Sequence, residues 1–266
     1  MAQLTRHRVE ANGATFAVFE AGSGSPPFVF VHGLACDHTA WLPQVEDLSR
    51  DHRCIAVDLR GRGESSATPP YHVEQQADDV AAIMRQLGVG AAVIVGHSLG
   101  GLVALVLNER HPDLVLGIAA ADSPLRKTGL GAAPLVQRLH ADGIGALEPM
   151  VERFFADATP PGVRDAVRMM MLGCPADVAA GMLSDDDGLT ARMTELVRLA
   201  DKKPFMAMWA SRPAGDISWL REACMFIRQE PIAGGGHFFQ LEQPAMTNAL
   251  LRAFLDDVER DPRLQR

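Results

Sequence analysis

The sequence predicts an α/β protein built on a mostly parallel, doubly wound sheet, with a helical block inserted late in the chain. Three observations predict it. Short apolar runs bounded by Gly, Pro or Asp alternate with segments of helical periodicity. A glycine-rich turn, Gly96-His97-Ser98-Leu99-Gly100-Gly101, joins one such run to a helix-like stretch. From about residue 123 to 203 the segment is helix-rich and shows no convincing strand pattern.

Taken in order, Phe28 to Val31, Cys54 to Val57 and Ala91 to Val95 read as buried parallel strands. Tyr71 to Leu87 carries Val73, Ala77, Val80, Ala81, Met84 and Leu87 at helical spacing and stops at Gly88. Leu114 to Ala121 reads as one more strand, ending at Asp122. Strand character returns at Pro204 to Ala210 and near Ala223 to Arg228, and a closing helix runs from about Pro244 to Val258. The expected organisation is a core of residues 1–122 and 204–266 with a helical cap over residues 123–203.

Composition narrows the function classes. The 266 residues are 47% hydrophobic and 22% charged, enough for a packed core. A net charge of −8 without a Lys/Arg cluster argues against a nucleic-acid partner. Cys36, Cys54, Cys174 and Cys224 lack metal-ligand spacing, so reduced thiols and no metal are expected. The N-terminal residues lack the apolar core of a secretory signal, and no run of 18 apolar residues occurs. A soluble cytoplasmic protein without a membrane partner is therefore expected, with a homodimer left open.

Ser98 stands where a strand-to-helix turn would project its hydroxyl above the sheet, and the small residues around it relieve clashes in so tight a turn. A serine nucleophile needs oxyanion donors, a base and an acid. Leu99 N–H, at a helix N-terminus, supplies one donor. Phe28-Val29-Phe30-Val31-His32-Gly33-Leu34 offers a strand followed by a bend, making Leu34 N–H the second, with His32 bonding the loop backbone. Gly234-Gly235-Gly236-His237 places a histidine just before the last helix, so His237 is the expected base.

These residues resemble the α/β-hydrolase superfamily. His32-Gly33, Asp58 to Ser65, the Ser98 turn, and Gly236-His237 with Glu242 and Pro244 match its landmarks in order. The resemblance spans about residues 10 to 258, with the middle block matching only as a variable cap. It implies a sheet of about eight strands, a Ser-His-acid triad and no cofactor.

One departure concerns the acid. Many relatives carry an aspartate after the strand that follows the cap, where this chain has Trp209-Ala210-Ser211-Arg212-Pro213. Asp216 follows three residues on, but it also reads as a helix N-cap. Some branches of the superfamily carry the acid one strand earlier, which favours Asp122, 24 residues after Ser98, with Asp216 as the alternative.

The expected reaction is hydrolysis of a small to medium, mainly apolar carboxylic ester or lactone through an acyl-enzyme. His32, Gly33, Trp41, Leu125, Phe154, Met170 and Phe238 are the candidate substrate-facing residues, with Leu130, Phe155 and the other methionines as further apolar walls. A cofactor-independent dioxygenase acting on an aromatic enol such as a hydroxyquinolone is the alternative, suggested by Cys36-Asp37-His38. A non-catalytic small-molecule receptor is a third reading.

Overall fold

The computed structural model describes residues 3–126, 128, 131–184 and 186–262, with the backbone alone at 186 and 187. Strands β1 (Thr5–Ala11), β2 (Ala14–Ala21), β3 (Phe28–Val31), β4 (Cys54–Val57), β5 (Ala92–His97), β6 (Val115–Ala121), β7 (Phe205–Trp209) and β8 (Arg228–Pro231) form one sheet. Their order is β1-β2-β4-β3-β5-β6-β7-β8. Pairing from β4 to β8 is parallel, whereas β2 runs antiparallel to both β1 and β4.

Alternation along the strands builds a core on each face of the sheet. In β3, Val29 and Val31 join the core beneath helices α2 (Val73–Gln86) and α3 (Leu99–Arg110). Phe28 and Phe30 point the other way, into the core formed with α1 (Leu42–Leu48) and α11 (Pro244–Glu259). Residues 99–108 of α3 are buried throughout, as a helix apolar on every side must be.

Between β6 and β7 lie α4 (Ala133–Asp142), α5 (Glu148–Arg153), α6 (Pro161–Leu172), α7 (Ala176–Met182) and α8 (Asp186–Ala200). The last of these packs on α3, and its Arg192 bonds Glu74 of α2 and Glu109 of α3. The expected cap of 123–203 therefore takes in one helix that belongs with the layers flanking the sheet. Helices α9 (Ile217–Ala223) and α10 (Phe239–Glu242) complete the chain order.

Two elements differ from expectation. Residues 224–227, read as strand, form a loop whose Met225 and Phe226 are 82% and 65% exposed. The Asp201 carboxylate accepts the N–H groups of both, which takes these two donors away from a ladder, and the edge strand is the polar Arg228–Pro231. The β1–β2 hairpin, unassigned from the sequence, turns on Asn12 and Gly13, whose φ values are 47° and 73°. Among the described residues no helix is long and apolar enough to cross a membrane.

Candidate active site

Ser98 sits between β5 and α3 with φ 50° and ψ −118°, a left-handed geometry unusual for a non-glycine residue. Its hydroxyl makes no helix-cap hydrogen bond, so the serine is not there to cap α3. Neighbouring glycines are required by contact. A Cβ at Gly96 would lie 2.2 Å from Gly100 O, one at Gly100 would lie 2.3 Å from Val31 O, and one at Gly101 would lie 1.9 Å from Ser123 Oγ.

The loop after β3 runs against this turn. A Cβ on Gly33 would stand 3.1 Å from Ser98 Cβ and 3.0 Å from His97 Nδ1. Leu34 and Leu99 both border the cavity that Ser98 faces. Leu99 opens α3, where N–H groups have no intrahelical acceptor.

His32 shapes this loop from behind. Leu59 N–H donates to its Nε2 at 3.0 Å, which makes Nδ1 the protonated nitrogen, donating to Gly33 O at 2.9 Å. Complete burial lowers the His32 pKa to about 4, so the ring is neutral. Arg62 fixes the loop from the other side, donating to Ala35 O, Cys36 O and, across to α6, Met170 O.

His237 follows β8, on the loop leading into α10, and is 6% exposed. Its Nδ1–H donates to Asp122 Oδ2 at 2.6 Å. Asp122, at the end of β6 with φ 41°, is 1% exposed. Its Oδ1 accepts from Ala210 N at 3.2 Å and Ala214 N at 3.1 Å, so both oxygens are engaged. Asp216 is an exposed N-cap of α9, accepting from Trp219 N at 2.9 Å. Proline thus stands at 213 without leaving the histidine unpartnered, because the strand before the cap provides the carboxylate.

His97 packs at 4.6 Å from the His237 ring and donates Nε2–H to His237 O at 2.9 Å. Burial first, and His237 second, drive its pKa well down, so it is neutral and holds the His237 backbone. The Phe154 ring stacks on His237 at 4.1 Å, and Phe154 O accepts His237 N–H at 2.8 Å. Glu242 Oε2 accepts Gly236 N–H at 2.7 Å while Oε1 accepts Thr159 Oγ1–H at 2.9 Å.

Ser98 and His237 open into one cavity of about 230 Å³, whose walls include Leu135, Met150, Phe154, Met171 and Phe238. Of the seven expected substrate-facing residues, Phe154 and Phe238 border it. The other five do not. His32 and Gly33 support the loop; Trp41 is fully buried against Phe30 and His97. Leu125 is fully buried in the core, and its carbonyl accepts Asp216 N–H. Met170 turns toward Thr39 and Arg62, leaving the wall to Met171. Phe155 is buried beneath Arg164 and Arg168, and Leu130 lies outside the described residues.

The roles of Arg62, His97, Glu242 and Thr159 had no signal in isolation. Arg62 and Glu242 fall within motifs, but a motif does not say which backbone atoms its side chains hold. The one group of described residues with metal-ligand spacing is Asp37, His38 and Asp58. Its polar atoms serve the loop: Asp58 Oδ1 accepts from His38 N and Nδ1, Asp58 Oδ2 from Glu64 N, and Asp37 Oδ1 from Thr39. Burial alone would raise the Asp58 pKa, but these bonds hold it below the usual carboxylate range.

Comparison with known proteins agrees with this architecture. Residues 26–143 match the family described as the alpha/beta hydrolase fold. The chain is 36% identical over 265 residues to 2-(acetamidomethylene)succinate hydrolase of Mesorhizobium japonicum, covering 94% of each chain. Among solved structures it is similar to a thermophilic esterase from Thermogutta terrifontis, with TM-score 0.83 and 27% identity over 97% of this chain and 99% of that one. It is likewise similar to an N-acyl homoserine lactone degrading enzyme, with TM-score 0.82 and 26% identity over 93% and 100%. With an eight-stranded sheet of this order, a strained serine between β5 and α3 and a relative matched along nearly its whole length, the chain belongs to the alpha/beta hydrolase family, and its similar proteins include hydrolases, esterases and lactone-degrading enzymes.

Proposed function

We propose that the protein is a serine hydrolase that cleaves a small, mainly apolar carboxylic ester or lactone through Ser98, His237 and Asp122. The observation that carries this reading is the 2.6 Å bond from His237 Nδ1–H to the buried Asp122, with His237 and the strained Ser98 bordering one cavity. That bond leaves Nε2 of the neutral ring as the basic nitrogen.

His237 takes the Ser98 proton as Oγ attacks the carbonyl carbon. The oxyanion so formed is held by Leu34 N–H and Leu99 N–H, each donor contributing about 3–4 kcal/mol of transition-state stabilisation. Collapse expels the alkoxide, which receives the proton from His237. Water then attacks the acyl-enzyme with His237 as base, and Ser98 is regenerated. No cofactor enters this sequence.

Ligand pockets commonly measure about 300–1,000 Å³, so a cavity of about 230 Å³ favours a small substrate. Three similar proteins are named for an ester, an acyl homoserine lactone and an acetamidomethylene succinate, compounds that all contain an acyl carbonyl. A panel of p-nitrophenyl esters and lactones tests the reading. Hydrolysis by the wild type, falling about 10⁶-fold in Ser98→Ala, is expected. Unchanged hydrolysis in that variant overturns it, as does oxygen uptake with a hydroxyquinolone by a protein that cleaves no ester.

A further inference from the structure

A second cavity, of about 280 Å³, is bordered by Phe154 and His237. It shares Phe154, Ala214 and His237 with the first cavity, and the Phe154 ring is stacked on the His237 imidazole. Two arginines, Arg153 and Arg212, border the second cavity and not the first.

Their bonding leaves both with donors to spare. Arg212 Nη2 donates to Phe155 O at 2.9 Å and to Arg153 O at 3.3 Å, which holds its guanidinium against the end of α5. Among the described residues no carboxylate pairs with either arginine. Arg53, Arg60, Arg110, Arg168, Arg192, Arg228 and Arg252 do have acidic partners, whereas Arg62 and Arg164, like Arg212, donate to backbone carbonyls. The one carboxylate bordering this cavity, Asp122, has both oxygens engaged.

We propose that this second cavity is a subsite for a carboxylate carried by the substrate, bound by Arg153 and Arg212, and joined to the reaction cavity when the Phe154 ring leaves His237. The Phe154 backbone need not move, since its carbonyl remains the acceptor for His237 N–H while the half-buried ring turns about its side-chain bonds. The substrate class is then an ester or lactone with an anionic end, such as the half-ester of a dicarboxylic acid. The guanidiniums bind and orient this end, and they exchange no proton with it at neutral pH.

This inference rests on the hydrolase reading for its substrate but not for its binding site. Rates on mono-p-nitrophenyl glutarate and on p-nitrophenyl butyrate give the ratio of kcat/KM for the charged over the neutral ester. That ratio is expected to fall at least about tenfold in Arg153→Gln, the loss of one charge-assisted hydrogen bond. Among the described residues the Arg153 side chain makes no hydrogen bond or ion pair, so its variant avoids the packing role of Arg212. An unchanged ratio in both Arg153→Gln and Arg212→Gln overturns the subsite while leaving ester hydrolysis intact. Calorimetry on Ser98→Ala provides an arm without turnover: glutarate is expected to bind, and more weakly once Arg153→Gln is added. Acetate binding as tightly as glutarate contradicts a site that spans both cavities. Should no ester be cleaved at all, the hydrolase reading fails and glutarate binding still decides the subsite.

Discussion

The loops after β5 and β8 each carry a residue of the proposed triad, but they are held by different forces. Ser98 is placed by backbone geometry: its φ of 50° and three glycines with no room for a Cβ leave the turn one shape. His237 is placed by side chains and by the residues between α5 and α6, through Phe154, Thr159 with Glu242, and His97. The position of Ser98 therefore belongs to the sheet, whereas that of His237 depends on the segment between β6 and β7.

The largest test of this contrast concerns the acid. Asp122→Asn is expected to lower kcat about 10⁴-fold, because an amide no longer selects the Nδ1–H tautomer or stabilises the imidazolium. Asp216→Asn should do little to kcat and cost at most about 1 kcal/mol of stability, as a helix cap. The reverse pattern would transfer the catalytic role to Asp216.

The buried imidazoles behind the site make a second prediction. His32 titrates at about 4 in the folded protein against 6.5 when solvated. As pH falls through 6.5 the unfolded chain takes up the proton first, so stability drops between pH 6.5 and 4, by up to about 3 kcal/mol. His97 acts in the same direction. Urea midpoints at pH 7.5 and 4.5 measure the drop, and equal midpoints would refute it.

Gly101→Ala and Thr159→Val then separate the two loops. The first forces a Cβ to within 1.9 Å of Ser123 Oγ and should destabilise the fold by about 1–3 kcal/mol. The second keeps its volume and loses two bonds, the one to Glu242 and the one accepted from Ala156 N–H, at a cost of about 1–3 kcal/mol. Its kcat should nonetheless fall a few-fold, since Gly236 N–H and the His237 loop depend on Glu242. Thermal melts and kcat measured together distinguish the two, and equal kcat for wild type and Thr159→Val would disconnect the covering helices from the base.

This contrast also explains what could be read from the sequence. Strands such as Phe28–Val31 and the Ser98 turn announce themselves because burial on both faces demands unbroken apolar runs and a tight turn demands glycine. Asp122 was legible because it closes such a run. The polar edge strand Arg228–Pro231 carries no such pattern, and the apolar Met225 and Phe226 beside it misdirect a reading based on hydrophobicity. The cavity walls were least legible. Met171 lines the cavity and Met170 does not, a difference of one residue around α6 that only the packing of that helix decides.

The claim at the centre of this account is that Ser98 is activated by His237 held by Asp122. Its most direct test is the rate of covalent labelling by a fluorophosphonate probe, with the adduct located by peptide mass. A single adduct on Ser98 is predicted, formed at the wild-type rate in Asp216→Asn and orders of magnitude more slowly in Asp122→Asn. An unlabelled Ser98, or labelling that survives Asp122→Asn and is lost in Asp216→Asn, would contradict it.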